Sequence, residues 1–150
     1  MGKFADRYFD ILPWQVTERG FDPTHSQMAE SVFSLGNEYT GLRGYFDEGY
    51  SGERLVGSYL NGVYERRDLP GSGYRGMLPF TEFMVNTVDW VYTRIACNGQ
   101  TLDLAKCSFS DFYRELDLRT GLLTRTFRWQ VDAGTELELR FERFTSMVAE

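Results

Sequence analysis

Histidine and cysteine are almost missing from this chain of 150 residues, which has one histidine, His25, and two cysteines, Cys97 and Cys107. A zinc site draws its ligands mainly from those two types at close spacing, and neither a C-x-x-C pair nor a second histidine is present. A Ser/His/Asp triad would need His25 as its base, yet His25 sits in Asp22-Pro23-Thr24-His25-Ser26, the composition of a turn. Two thiols without a glycosylation acceptor (Asn-x-Ser/Thr) give no framework for a secreted fold, so reduced cysteines and a cytoplasmic location are expected. No apolar run approaches the roughly 20 residues of a membrane span, and Met1-Gly2-Lys3-Phe4-Ala5-Asp6 carries no apolar signal segment. Positive charge is also short, with 16 Lys and Arg against 22 Asp and Glu and a formal charge of −6. The basic residues are scattered rather than gathered into a stripe, which argues against nucleic-acid binding. Internal repeats and low-complexity stretches are absent.

What the chain does have is apolar and aromatic material, 42% and 16% of its residues, enough for a packed core in one domain or part of a larger one. In the second half this material alternates. Val91, Thr93, Ile95 and Cys97 share one parity, and Asn98-Gly99 then supplies a hairpin turn, because both residues tolerate left-handed dihedrals. Thr101 to Leu104 resumes the alternation. Phe112, Arg114, Leu116 and Leu118 form the next row, Thr120-Gly121 turns the chain, and Leu123, Arg125, Phe127, Trp129 and Val131 form another. After Asp132-Ala133-Gly134, Leu137, Leu139 and Phe141 face away from Glu136, Glu138, Arg140 and Glu142. Period-two alternation between glycine turns marks antiparallel sheet with one buried face. The first half is less regular: Trp14 to Glu18 and Gly57 to Glu65 read as strands, Arg66 to Pro79 as an exposed loop, and Glu82 to Val85 as strand again. No stretch carries sustained helical spacing, and the expected class is all-β.

The densest signal is Gly36-Asn37-Glu38-Tyr39-Thr40-Gly41-Leu42-Arg43-Gly44, three glycines in nine positions between strand-like runs. Such density marks a backbone that turns sharply or is closely approached. Asn37, Glu38, Tyr39, Arg43 and Tyr45 are the candidate interface residues, expected to organise a tight segment facing another domain or subunit. Arg43 is expected to clamp a carboxylate, with Glu30, Asp47 or Glu48 the nearest in sequence. Trp14, Tyr39, Tyr45, Tyr50, Tyr59, Tyr64 and Tyr74 have two readings, as stacking platforms for sugar rings or as filling between sheets. The acidic pairs Asp47-Glu48 and Glu136/Glu138 read as solvated charge on exposed faces. Gly36 to Gly44 lacks a Walker lysine and the G-x-G-x-x-G spacing, and no carboxylate stands out as a catalytic acid.

Five segments together carry a resemblance. Glu30-Ser31-Val32-Phe33-Ser34-Leu35-Gly36-Asn37 with Gly41 to Gly44 resembles the E-S-x-F-S-x-G-N-G-x-x-G-x-R-G pattern of glycoside hydrolase family 65, with Glu38 in place of a glycine. Gly57 to Tyr64 is similar to its G-x-Y-x-x-G-V-Y element, and Val85 to Trp90 to its L-V-N-x-P-x-W element, with Val88 at the proline. Leu116 to Arg125 resembles its L-D-x-R-x-G-x-L-x-R hairpin, and Arg140 to Met147 the strand that follows. The resemblance implies an antiparallel two-sheet super-sandwich of the galactose mutarotase type. The strand-like run from Phe141 to Val148 meets the end of the chain without a closing turn, so the sandwich is expected to be incomplete at its C-terminal end. Residues 1–150 would be the N-terminal portion of that domain, with the catalytic (α/α)6 barrel absent. The implied parent is a cytoplasmic, homodimeric phosphorylase acting on an α-linked glucose disaccharide, with inorganic phosphate as co-substrate and no cofactor. No catalytic residue transfers to any position here, and the segment alone is expected to be inactive. The alternatives are a hydrolase of the same family and a stand-alone carbohydrate-binding or dimerisation module.

Overall fold

The computed structural model of the protein describes residues 8–69, 76 and 78–148. Alternation in the second half produces its long strands: β9 (Ser108–Asp117), β10 (Leu122–Asp132) and β11 (Thr135–Arg143). Asp117 and Gly121, the latter at φ 68°, close the first hairpin, and Ala133-Gly134 closes the second. Two N-terminal strands, β1 (Asp10–Leu12) and β2 (Gln15–Arg19), complete an antiparallel five-stranded sheet in the order β1-β2-β9-β10-β11. Its register sets Arg125 opposite Arg114 on one side and Phe141 on the other. The predicted row Leu123, Arg125, Phe127, Trp129 and Val131 is the buried row. Each large apolar side chain removed from water contributes about 1.5–3 kcal/mol, so this row is the main anchor of the fold.

A second antiparallel sheet has the order β3-β4-β5-β6, from β3 (Leu35–Gly36), β4 (Thr40–Leu42), β5 (Ser58–Asp68) and β6 (Phe80–Asn86). The predicted loop from Arg66 is therefore shorter: β5 runs to Asp68, and β6 returns from Phe80 in register with it. Tyr74 lies outside the described residues. A two-stranded ribbon, β7 (Ala96–Cys97) and β8 (Gln100–Thr101), turns at Asn98-Gly99, with both residues at positive φ.

Three expectations are corrected. The long strands read over Val91–Asn98 and Thr101–Leu104 are cut to two residues each, and at the start of the first run an aspartate captures the amides a ladder would use. Asp89 Oδ1 accepts from the amides of Val91 and Tyr92 at 3.3 and 3.2 Å, and Asp103 Oδ1 accepts from those of Ser51 and Ala105, both at 3.1 Å. The last strand ends at Arg143, not Val148. The all-β reading also misses one helix, α1 (Ser26–Val32), entered through a 3₁₀ turn at Pro23–His25 that Asp22 caps by accepting from Thr24 N at 2.9 Å. Seven residues are too few to display a helical period, but Ala29 and the following Phe33 are fully buried against Phe9, Leu116 and Leu123. The architecture is mostly β with antiparallel sheets and one short helix.

Candidate functional site

The Gly-rich segment leaves α1, passes through β3 and β4 and lies across the face of the five-stranded sheet. Its turn is built by Asn37, whose Oδ1 accepts from the amides of Tyr39 and Thr40 at 2.8 and 2.7 Å. Asn37 Nδ2 donates to the carbonyl of Ser146 at 2.7 Å, fastening the turn to the chain beyond β11. Glu38 and Tyr39 present side chains outward, and their carbonyls accept from Asn61 Nδ2 and Asn61 N at 2.9 and 2.8 Å. At the other end Gly44 meets α1 so closely that an added Cβ would lie 2.7 Å from Phe33 Cβ and from its carbonyl oxygen. Only glycine fits that approach.

Beneath the segment lie three arginines on three adjacent strands. Arg114 of β9 donates to Glu18 through Nε and Nη2 at 2.9 and 2.6 Å and to the carbonyl of Gly44 at 2.9 Å. Arg125 of β10 grips both oxygens of Glu48, Nη1 at 2.7 Å, while its Cζ sits 4.2 and 4.3 Å from the ring centres of Phe46 and Phe141. Arg143 of β11 donates to the carbonyls of Arg43 and Tyr45 at 2.9 and 3.0 Å and to Asp47 at 2.5 Å. Forked guanidinium pairs of this kind fix orientation as well as supplying charge. Each arginine thus ties the sheet to the segment or, through Glu18, to β2. Glu30 of α1 is buried too and accepts from the amides of Leu55 and Val56 at 2.8 and 3.1 Å. Burial pushes its carboxyl pKa up, and those two amides pull against the shift. The partnership holds Val56 at φ 37°, a strained value for a β-branched residue.

Chemically the cluster is closed. Glu48, with 3% of its surface exposed, has both carboxylate oxygens held by Arg125. Tyr45 is buried and donates to Asp89 Oδ1 at 2.9 Å; burial and that hydrogen bond both push its hydroxyl pKa up. Among the described residues, no three His, Cys, Asp or Glu side chains converge as a metal site.

The sequence model for the glycosyl hydrolase family 65 N-terminal domain matches residues 16–150. The chain belongs to this family. Its relatives include an α,α-trehalose phosphorylase of Thermoanaerobacter brockii, 32% identical across 89% of this chain and 18% of that protein. A maltose phosphorylase of Bacillus subtilis (strain 168) is 30% identical across 94% of this chain and 19% of that protein. A solved structure described as "Putative kojibiose phosphorylase from human microbiome" superposes with a TM-score of 0.84 at 42% identity, over 94% of this chain and 19% of that one. The chain spans about a fifth of the length of these relatives.

In this family 65 domain the five candidate residues divide into two groups. Asn37, Glu38 and Tyr39 form the β3–β4 turn, whereas Arg43 and Tyr45 follow β4, with their carbonyls held by Arg143. The expected carboxylate partner of Arg43 is not the observed one. Its Nη1 donates to Ser31 Oγ at 2.8 Å, because Glu30 is engaged by backbone amides and Asp47 and Glu48 by Arg143 and Arg125. The Asp47-Glu48 pair is accordingly structural rather than solvated. Of the aromatics, Tyr45 and Tyr50 fill the interior, while Trp14, Tyr39 and Tyr64 are exposed. The buried arginines had a visible signal: Arg114 and Arg125 stand in otherwise apolar rows of alternating strands. An arginine at a core-facing position requires a buried partner.

Proposed function

We propose that the chain is the N-terminal portion of an inverting disaccharide phosphorylase that turns an α-linked glucose disaccharide and inorganic phosphate into β-glucose 1-phosphate and a free sugar. On this reading residues 1–150 form part of a galactose mutarotase-like super-sandwich. The catalytic glutamate and phosphate pocket belong to an (α/α)6 barrel elsewhere in a longer, cytoplasmic, homodimeric polypeptide. This segment then contributes support and assembly, and Asn37, Glu38, Tyr39, Arg43 and Tyr45 organise the face that meets the barrel or a second subunit. The observation that carries the proposal is the match of nearly the whole chain to proteins named as trehalose and maltose phosphorylases, at about a fifth of their length.

Two features of the molecule support it. The inward-facing acidic groups around the Gly-rich segment, Glu18, Glu30, Asp47 and Glu48, are held by guanidinium groups or amides rather than left free to protonate a leaving oxygen. The β5–β6 arm carries Leu60, Val63, Tyr64, Phe83 and Met84 between 39% and 54% exposed, and such a surface is one that a larger polypeptide covers. At the base of the arm, Arg43, Tyr59 and Met84 border an open hollow of about 620 Å³.

The chemistry also explains why phosphate suits the parent enzyme. An inverting glycosidase needs one carboxylic acid for the leaving oxygen and a second carboxylate to activate water on the opposite face. Phosphate is already an anionic nucleophile, so one acid and a cationic or hydroxyl-lined phosphate pocket suffice. The test is to incubate the 150-residue chain with trehalose, maltose, kojibiose or nigerose plus phosphate. Glucose 1-phosphate should stay at the buffer blank, whereas the longer polypeptide should produce it. Turnover by the short chain that disappears on changing one of its carboxylates would overturn the proposal, as would phosphate-independent glucose release by the longer one.

A further inference from the structure

At the end of the five-stranded sheet remote from the β10–β11 turn, β1 and β2 join through a two-residue tip, Pro13-Trp14, closed by the pairing of Leu12 with Gln15. The protein buries Trp129 almost completely yet leaves Trp14 54% exposed. Trp14 is held in place by its backbone, since its carbonyl accepts from Leu118 N at 2.9 Å and so joins this tip to the β9–β10 turn. Between the two turns lies a hollow of about 340 Å³, lined by Leu12, Pro13, Trp14, Gln15, Asp117 and Arg119. Half of that lining is apolar, and the other half is a carboxamide, a carboxylate and a guanidinium. Arg119 is steered to the indole, with its Cζ 5.8 Å from the ring centre, by a turn in which Asp117 Oδ1 accepts from Arg119 N at 2.8 Å.

We propose that this hollow is a secondary carbohydrate-binding site, in which a pyranose ring of an α-linked gluco-oligosaccharide stacks on Trp14 and hydrogen-bonds to Gln15, Asp117 and Arg119. A sugar ring has an apolar C–H face that matches a flat π-surface and a rim of hydroxyls that need donors and acceptors. The lining supplies both, and the volume falls in the usual range for small-ligand sites, about 300–1,000 Å³. A protein-docking patch would more commonly be a broad apolar surface than a small hollow with three hydrogen-bonding side chains. The α-glucoside class rests on the function proposed above; the platform itself rests on the geometry. The site lies apart from the buried arginine cluster and would hold a chain-like substrate or product near the protein without acting on it.

The three tryptophans of the chain provide the probe. Maltopentaose is titrated into the ¹⁵N-labelled protein while the indole N–H signals are followed, with Trp90 and Trp129 as internal controls. Trp14 should shift saturably at millimolar sugar, with the other two unmoved. Trp14→Ala should weaken binding about tenfold, the limit expected from losing one aromatic face, and Trp14→Phe should recover part of it. Both variants should melt with the parent chain, since the side chain is outside the core. Absence of a saturable shift, equal binding by Trp14→Ala, or a Trp14 shift that follows protein concentration without sugar would each overturn the site. Equal response to cellopentaose would overturn the α-glucoside assignment. Phosphorolysis by the longer polypeptide is measured separately, so a failed titration leaves that proposal standing and a failed assay leaves the platform testable.

Discussion

Strands β5 and β10 are both eleven residues long, and they lie at opposite extremes of this molecule. In β10 the odd-numbered residues from Leu123 to Val131 are buried and the even-numbered ones face outward. In β5 only Ser58 is buried, and Leu60, Val63 and Tyr64 occupy both parities with no layer over either. Their pairing differs in the same way. Strand β10 is paired along most of its length on both edges, whereas β5 meets β4 only from Ser58 to Leu60 and β6 at Tyr59 and from Tyr64 to Asp68. A strand with one apolar parity specifies one buried face. A strand with apolar residues on both parities specifies two, and the second sheet here provides neither for most of β5. One sheet covers its apolar row, and the other leaves apolar side chains exposed on both parities of its longest strand.

The largest loss is expected at the buried charges of the five-stranded sheet. Arg125→Ala leaves Glu48 buried without its partner and removes stacking on Phe46 and Phe141. The expected loss is about 3–5 kcal/mol in urea unfolding. The double variant Arg125→Met/Glu48→Gln should recover much of that, because it removes the pair rather than half of it. A single variant as stable as the parent would mean the pair is not buried in solution. Two phenylalanines, one in each sheet, should respond differently to truncation. Phe127→Ala, at 1% exposure, should cost about 3–5 kcal/mol. Phe83→Ala on the arm, at 40%, should stay within about 0.5 kcal/mol in the same denaturation series.

A smaller effect is expected at acid pH. Asp103 is mostly shielded; burial pushes its pKa up, but the hydrogen bonds from Ser51, Ala105 and Lys106 outweigh this and hold it at about 2, below its ordinary 3.8. A depressed carboxylate stabilises the fold fully above its unfolded value and ceases to do so as the pH falls through the folded one. This contribution should disappear between about pH 4 and pH 2. Asp103→Asn should flatten that part of the stability profile and leave its slope above pH 5, roughly, unchanged. An identical acid limb in the variant would place the titrating group elsewhere.

How much of this was legible follows from the same physics. Local alternation exposed β9, β10 and β11, and the turns at Asn98-Gly99, Thr120-Gly121 and Ala133-Gly134 lie where Gly and Asn place them. Alternation could not report that Asp89 would take the backbone amides of Val91 and Tyr92, since that competition depends on side-chain geometry. Helix α1 is held by burial of Ala29 and Phe33, a tertiary cause that seven residues of sequence do not display. At the candidate site, the tight turn around Asn37 was readable from its glycines. The partner of Arg43 was not: Glu48 finds Arg125 from 77 residues away, and Glu18 finds Arg114 from 96. Family membership was legible because five separated motifs occur in the right order, which no single one of them establishes.

Hydrogen exchange on the amides of β5 and β6 relative to those of β10 tests the central claim most directly, in the 150-residue chain and in the longer polypeptide. In the short chain the arm should exchange by local opening while β10 exchanges only by global unfolding. In the longer polypeptide the arm should become as protected as β10, because its two apolar faces are then covered. An arm already as protected as β10 in the short chain, or still unprotected in the longer one, would contradict the proposal that a longer polypeptide covers this arm.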